Sequence, residues 1–557
     1  MEFLALDLDI TKKVGNRKRE AESFLKLGEG FFKTANFQEA IQYFEQYRRI
    51  CEELEDRAGE GSAYGKLGDT YNSVGNFDAA GHFYGMQLEI ATKVGDKKSE
   101  GRACASLGSQ YHGRGKYVPA GRYHQRQLKC AKESGDKAGK GHAYGNLGEL
   151  FHSLGDYEKA MEYFETNLTI VKELGDRAGE GTVCGNLGRV YHSLDNFERA
   201  IEYHEMQLSI ANEQNSEIDK ARAYYHKGCN LESLGSLKEA LACYKSSAGL
   251  CNNIRASLRS RKENSFTDEW KINLFDEFRL VYMALCRTLL KLDFVVEALW
   301  AVEQGRPRSL AHAIQSRYGS LTYQLKQEEK VSDVWQYIST NTVFFAAENN
   351  SIYFWLLTPD QGVRFEKLAL GAFSANEIVE AEWNSDRYLR FIRTLCDAAI
   401  GPMGNQLKGN ELVIIPYGPL CLLPWNMVAF DRHESLRIRV APSLTTLKLI
   451  TDCRQDYHRA SGVLLVGSPL CCDVTPEGAI RTLREIPFAK KEVEMIGKLT
   501  NTQPLTGKNA TKMAVLNRLR NSALVHIATH GSSTEGEIFL TPNPTPSSVV
   551  PKKKITC

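Results

Sequence analysis

Three sets of residues in this chain have the types and spacing to do chemistry or to hold a ligand. The first is His530, which closes the apolar stretch VHIATHG. A histidine past an apolar run and ahead of a glycine stands where a strand would end, and chemistry in parallel sheets collects at the carboxyl ends of strands. A satisfied core histidine is the plain alternative. Ser532 and Ser533 read as loop residues, and Cys471 and Cys472 follow another apolar run, LLVGSPL. The second set is a row in which Asn146 and Asn186 share one recurring position, with Lys66 and Ser106 in earlier copies. Arg102, His142 and Thr182 sit one helical turn before that row, and Arg189 projects nearby. The third set is His112, His152 and His192. An Asn amide offers a donor and an acceptor together and can grip a peptide backbone of any sequence, whereas Arg and Lys favour an acidic segment. A solvated helix face accounts for any one of these residues, but Asn recurring at one position points to peptide contact. The His row is not a metal site, because packed repeats stand about 10 Å apart.

These rows exist because the first half of the chain is periodic. Leu27-Gly28, Leu67-Gly68, Leu107-Gly108, Leu147-Gly148 and Leu187-Gly188 recur every forty residues, with Lys227-Gly228 a degenerate sixth copy. An aromatic residue or Cys precedes each pair (Phe24, Tyr64, Cys104, Tyr144, Cys184, Tyr224). An aromatic follows in five copies (Phe31, Tyr71, Tyr111, Phe151, Tyr191). This three-and-four spacing marks one helix face. A turn follows at Gly75, Gly115, Gly155 and Gly235, and then Ala40, Ala80, Ala120, Ala160, Ala200 and Ala240 open a second amphipathic helix. The expected contact is Gly against Ala, allowing two antiparallel helices to approach closely. Gly95-Asp96, Gly135-Asp136 and Gly175-Asp176 should stop one helix and cap the next. A fixed period of this length predicts stacked helical hairpins, an α-solenoid.

After Leu250 the period breaks at the polar stretch RASLRSRKENSF, and helical patterning returns through AVEQGRPRSL. We read residues 1–254 as the array, 255–335 as a helical extension with an irregular seventh repeat, and 336–557 as a second domain. There TVFFAA and SIYFWLL form a hairpin around ENN, while ELVIIP, GVLLVG and ALVHIA alternate with helical segments. Apolar runs alternating with helices predict a mostly parallel sheet covered on both faces. A loose tail is expected from about Thr541.

Composition narrows the function. With 557 residues, 42% hydrophobic content and a net charge of +2 spread along the chain, nothing attracts nucleic acid or anionic membrane generically. No apolar run approaches the roughly 20 residues of a membrane span. Fourteen cysteines without a CxxC pair, several at repeat-core positions, suit a reduced, cytoplasmic chain. Phosphate-binding glycine motifs are absent, and no cofactor or metal is expected.

The repeat code resembles tetratricopeptide repeats in a forty-residue form, and its GDRAGEG–GNLG wording is similar to the Partner-of-Inscuteable and kinesin-light-chain type of array. That resemblance implies a concave groove for a peptide or protein partner, with Lys66, Arg102, Asn146, His152, Asn186, Arg189 and His192 as contacts. Further on, LVIIPYGPLCLLPW, APSLTTL, LLVGSP, PLTGKNATK and VHIATHG occur in the order found in CHAT domains, which are caspase-like and often follow such arrays. Tyr417 departs from that pattern, where Asp is commoner. The resemblance implies His530 as base and the Gly531 N–H as oxyanion donor, acting with a Cys at the end of a further apolar strand. No such strand is found before Cys557, which follows a Lys run and Pro551 and lacks an element to hold it in attack geometry. The expectation is therefore a scaffold with an incomplete and inactive CHAT domain. The alternative is a fragment of a His/Cys-dyad cysteine endopeptidase regulated by its repeats.

Overall fold

A computed structural model describes residues 2–34, 36–260, 268–306, 338, 340–348, 351–359, 362–369, 411–417, 420–421, 437–451, 462–469, 487–519 and 521–529. The chain divides into two compact units, Met1–Leu310 with Lys326–Thr446, and Ala311–Leu325 with Leu447–Cys557.

The first unit begins with α1 (Glu2–Val14) and six helix pairs. The first helices of the pairs are α2 (Arg17–Lys33), α4 (Arg57–Ser73), α6 (Lys97–Gly113), α8 (Lys137–Ser153), α10 (Arg177–Ser193) and α12 (Glu217–Ser233). The second helices are α3 (Phe37–Glu53), α5 (Phe77–Val94), α7 (Tyr117–Glu133), α9 (Tyr157–Leu174), α11 (Phe197–Glu213) and α13 (Leu237–Ser260). Boundaries follow the caps. Asp56, Asp96, Asp136 and Asp176 each accept an N–H from the residue three positions on, at 2.9 to 3.0 Å. The residue before each cap has positive φ: Glu55 55°, Gly95 79°, Gly135 69° and Gly175 66°. Each such cap contributes about 1 kcal/mol.

Inside a pair the contact differs from the expected Gly-on-Ala. The alanines Ala40 to Ala240 are fully buried, but each Leu-Gly glycine meets a ring four residues further along the second helix. A Cβ on Gly28, Gly68, Gly108, Gly148, Gly188 or Gly228 would lie 2.4 to 2.7 Å from Phe44, Tyr84, His124, Phe164, His204 or Tyr244. The glycine makes room for a flat side chain, and the alanine beside it keeps the backbones close. A second ring pair stacks in five repeats: Phe31–Tyr43, Tyr71–Phe83, Tyr111–Tyr123, Phe151–Tyr163 and Tyr191–Tyr203, with centroids 5.1 to 5.5 Å apart. The core cysteines Cys51, Cys104 and Cys184 are free thiols, and burial pushes them up to about 11, 12 and 11.

Helix α13 runs past residue 254 to Ser260, and α14 (Asp268–Lys291) and α15 (Val295–Gly305) follow. A five-stranded sheet comes next: β1 (Asn341–Glu348), β2 (Ser351–Thr358), β3 (Gly362–Ala369), β4 (Glu411–Ile415) and β5 (Arg437–Val440). Its order is β3-β2-β1-β4-β5. The hairpin pairs as read, with Phe344 opposite Trp355, and β3 extends it antiparallel. Strands β1, β4 and β5 are parallel, so this sheet is mixed. Short returns between β1, β2 and β3 admit only antiparallel pairing.

An ionic cluster joins the last repeat to this sheet. Arg287 of α14 donates to Glu232 at 2.8 and 2.9 Å and to Glu348 of β1. Lys291 also reaches Glu232 at 2.8 Å. The AVEQGRPRSL segment supplies a second anchor. Arg306 donates to the carbonyls of Pro416 and Pro442 at 2.7 Å each, just past the carboxyl ends of β4 and β5. Its guanidinium lies over Phe344 and Tyr417, which gives Tyr417 a packing role. Glu303, on the same helix, accepts the N–H groups of Leu444 and Thr445 and so caps α16 (Leu444–Thr451).

In the second unit β6 (Gly462–Pro469), β7 (Leu505–Gly507) and β8 (Ser522–Ala528) form a parallel sheet in the order β7-β6-β8. Helix α17 (Pro487–Thr500) packs on β6, with Val493 against Gly467, and α18 (Lys512–Leu519) buries Val515. No helix among the described residues is long and apolar enough to cross a membrane.

Candidate functional site

First helices touch one another along the array, α4 with α6, α6 with α8, α8 with α10 and α10 with α12. They therefore form a continuous row of faces, and the recurring Asn position lies on it. Towards the last repeats this row opens into a pocket of about 410 Å³. Thr182, Asn186 and Arg189 line it from α10, Arg222 and Tyr225 from α12, and Phe278 from α14. One wall is polar and the wall from α14, with Leu280 and Val281, is apolar. This is the division of labour expected of a recognition site.

Within the pocket Arg189 donates to Glu149 at 3.2 Å and to the Asn186 side-chain carbonyl at 3.4 Å. His226 occupies the Asn position of the sixth repeat and stacks on His204 with centroids 5.3 Å apart. Burial, reinforced by the neighbouring His204 and Arg189, pushes His226 down to about 3. It is neutral at physiological pH, and the pocket's charged lining is Arg189 paired with Glu149 and Arg222 paired with Asp219.

The other expected contacts are placed differently. Asn146 donates to the buried Gln127 at 3.0 Å. Lys66 pairs with Glu29 at 2.7 Å, and Arg102 is exposed and reaches Ser99 at 3.1 Å. The His row lies between repeats: His112 meets Ser153 at 2.8 Å, His152 meets Ser193 at 3.1 Å and His192 meets Asn230 at 2.8 Å. These rings bridge neighbouring first helices. Asn186 and Arg189 are brought together in the pocket, whereas Lys66, Arg102 and Asn146 are spread along the row outside it.

Sequence reading missed Arg222, Tyr225, Phe278 and Leu280. Arg222 was within reach, because it continues the Arg102, His142, Thr182 row by one more period. Phe278 and Leu280 belong to α14, where no period remains to mark them.

At the other end, ALVHIA forms β8, parallel to β6 as expected. His530 and Gly531 lie outside the described residues, as do Cys471, Cys472 and Cys557. Among the described residues no group of three or more His, Cys, Asp or Glu side chains could hold a metal ion.

Comparison with known proteins matches tetratricopeptide repeat models to residues 19–93, 101–173, 183–217 and 221–253. The CHAT domain model matches residues 389–550. Tetratricopeptide repeat protein 28 of Mus musculus is 29% identical over 171 residues, covering 27% of this chain and 7% of that protein, and the Homo sapiens protein matches to the same extent. The chain thus spans a small fraction of the length of these curated relatives. Among solved structures, the apo form of RapI is similar at 15% identity, with a TM-score of 0.40 over 51% of this chain and 96% of that one. Aspartyl phosphate phosphatase F from Bacillus subtilis is similar at 14% identity, with a TM-score of 0.42 over 58% of this chain and 77% of that one. Repeat code, helix pairs and family matches agree: the chain carries an array of tetratricopeptide repeats followed by a CHAT domain.

Proposed function

We propose that the array is an interaction scaffold whose row of first helices holds a peptide segment of a partner protein. The observation that carries this reading is the pocket where Asn186 and Arg189 face Phe278 and Leu280. Such a wall pairing suits a segment with an apolar side chain beside a carboxylate. The Asn186 amide takes a backbone carbonyl, the partner's carboxylate shares Arg189 and Arg222 with Glu149 and Asp219, and α14 receives the apolar group. Core thiols kept as free Cys51, Cys104 and Cys184 suit a cytoplasmic setting.

The test is selection from a displayed random-peptide library on the full chain, followed by affinity measurement with the enriched peptides. Asn186→Ala and Arg189→Ala should each weaken binding by about ten-fold, which is about 1.4 kcal/mol. Enriched peptides that bind both variants as well as the parent chain would reject the pocket.

A second reading follows from the CHAT match, which contains His530 and Gly531. A cysteine endopeptidase would use His530 as base and the Gly531 N–H for the oxyanion. A thiol-directed activity probe that labels the parent chain but not His530→Ala would favour it, and equal labelling of both would dismiss it.

A further inference from the structure

The pocket of the last repeats contains a polar ring with no hydrogen-bond partner among the described residues. In the row that carries Asn146 and Asn186, the sixth repeat has His226. Two repeats earlier the equivalent side chain is tied down, because Asn146 donates to Gln127 of the preceding helix at 3.0 Å. Gln207 is the counterpart of Gln127 and lines the pocket with His226. Its side-chain oxygen takes the Nδ1–H of His204 at 3.2 Å. The His226 carbonyl accepts from Asn230 at 2.8 Å, but among the described residues the His226 ring makes no hydrogen bond.

The ring is nevertheless held in place. It stacks on His204 with the two planes 14° apart. His204 is itself 1% exposed, pinned by Gln207 and set into the space left by Gly188. A side chain fixed in this way loses little freedom on binding. A polar group withdrawn from water without a partner favours whatever supplies one.

The rest of the lining indicates which partner that is. Arg189, Arg222 and the Asn186 amide supply donors, suited to peptide carbonyls and carboxylates. Acceptors there are largely committed: Glu149 to Arg189 at 3.2 Å, Asp219 to Arg222 at 3.8 Å, and Gln207 to His204. The Asn186 side-chain carbonyl accepts from Arg189 at 3.4 Å. Burial keeps the His226 ring neutral, so one of its nitrogens retains a lone pair. Resting on the peptide-binding function proposed for the array, we propose that the lone-pair nitrogen of His226 accepts a main-chain N–H of the bound peptide. This makes the pocket selective against proline and N-alkylated residues at that one peptide position, since neither has an N–H to give. Selection of this kind ignores side chains, and so adds to the preference for a carboxylate beside an apolar group.

The experiment is a double-mutant cycle on the full chain with a peptide enriched on it. Each backbone amide of the peptide is N-methylated in turn, and affinities are measured for the parent chain, His226→Phe and His226→Asn. Phe keeps a stacking ring without its nitrogens, and Asn restores an acceptor of the kind found elsewhere in the row. At one amide, N-methylation should weaken binding to the parent chain by about ten-fold or more, weaken His226→Asn similarly, and change His226→Phe by less than about two-fold. A second readout needs no altered protein: the ring-nitrogen NMR signal of His226 should shift with the unmodified peptide and not with the one methylated at that amide. Methylation costs that match in the parent and His226→Phe at every amide, while Asn186→Ala and Arg189→Ala still weaken binding, would overturn this role of His226 alone. Peptides indifferent to those two variants, or no enriched peptide at all, would remove the pocket's function and this inference with it.

Discussion

The repeat array and the five-stranded sheet bury side chains by opposite rules. In the array one solution is used six times: a glycine admits a ring from sixteen residues further on, as Gly28 admits Phe44 and Gly148 admits Phe164. In the sheet the decisive contacts occur once and span long separations. Arg306 reaches Pro416 and Pro442, 110 and 136 residues away, and Glu303 caps a helix 141 residues on. Damage to the array should therefore remain within one or two hairpins, as nearest-neighbour stacking implies. Damage to the sheet's anchor should spread through every strand that depends on it.

The largest effect is expected at Arg306. Replacing it by Met leaves the buried Glu303 without its neighbouring cation and removes the hydrogen bonds to the carbonyls of Phe345, Pro416 and Pro442, a loss of about 3–5 kcal/mol. Hydrogen exchange should show β1, β4 and β5 losing protection together while α4 to α11 keep theirs. Equal loss in the array would break the contrast, because the two regions would then unfold as one body.

A smaller and more local effect is expected from Gly148→Ala. The new methyl would stand 2.6 Å from the Phe164 ring, and such overpacking costs about 1–3 kcal/mol. The amides of α8 and α9 should exchange faster, α6 and α10 less so, and α2 and α3 not at all. Uniform acceleration from α2 to α13 would show that the array is more cooperative than its local contacts suggest.

The same contrast explains what was legible in the sequence. Helix pairs, their caps and the position of Asn186 follow from a forty-residue period, because each contact is local and repeated. The ring partner of each glycine is written in the sequence too, as an aromatic or His four residues after every Ala. The strands β1, β2, β4, β6 and β8 were visible as apolar runs. Their order and the role of Arg306 were not, since a single Arg in AVEQGRPRSL carries no mark of which carbonyls it will meet. Phe278 and Leu280 escaped for the same reason. The His row shows the converse failure: periodicity located His152 and His192 but could not reveal that Ser193 and Asn230 take up their ring nitrogens.

The finest test lies where the two regions meet, at Glu232. Burial opposes its ionisation, but hydrogen bonds from Arg287 and Lys291 outweigh that and hold its carboxyl at about 2, against 4.5 for an ordinary Glu. A carboxyl depressed in the folded chain contributes stability above its unfolded value and loses it as pH falls through the folded one. The contribution should therefore be complete above about pH 4.5 and fade between there and about pH 2. Solvent on the Arg287 and Lys291 side limits it to about 1–2 kcal/mol. Glu348 works in the opposite sense, because burial raises it despite Arg287, so its protonation relieves strain on the same cluster as pH falls. Glu232→Gln isolates the first effect. Urea unfolding followed at α12 and β1 should show the variant less stable than the parent chain at pH 6, with the gap closing towards pH 2.5. A gap that stays constant with pH would mean that Glu232 acts through shape and hydrogen bonding alone, and the junction would then be packed by the array's rule rather than the sheet's.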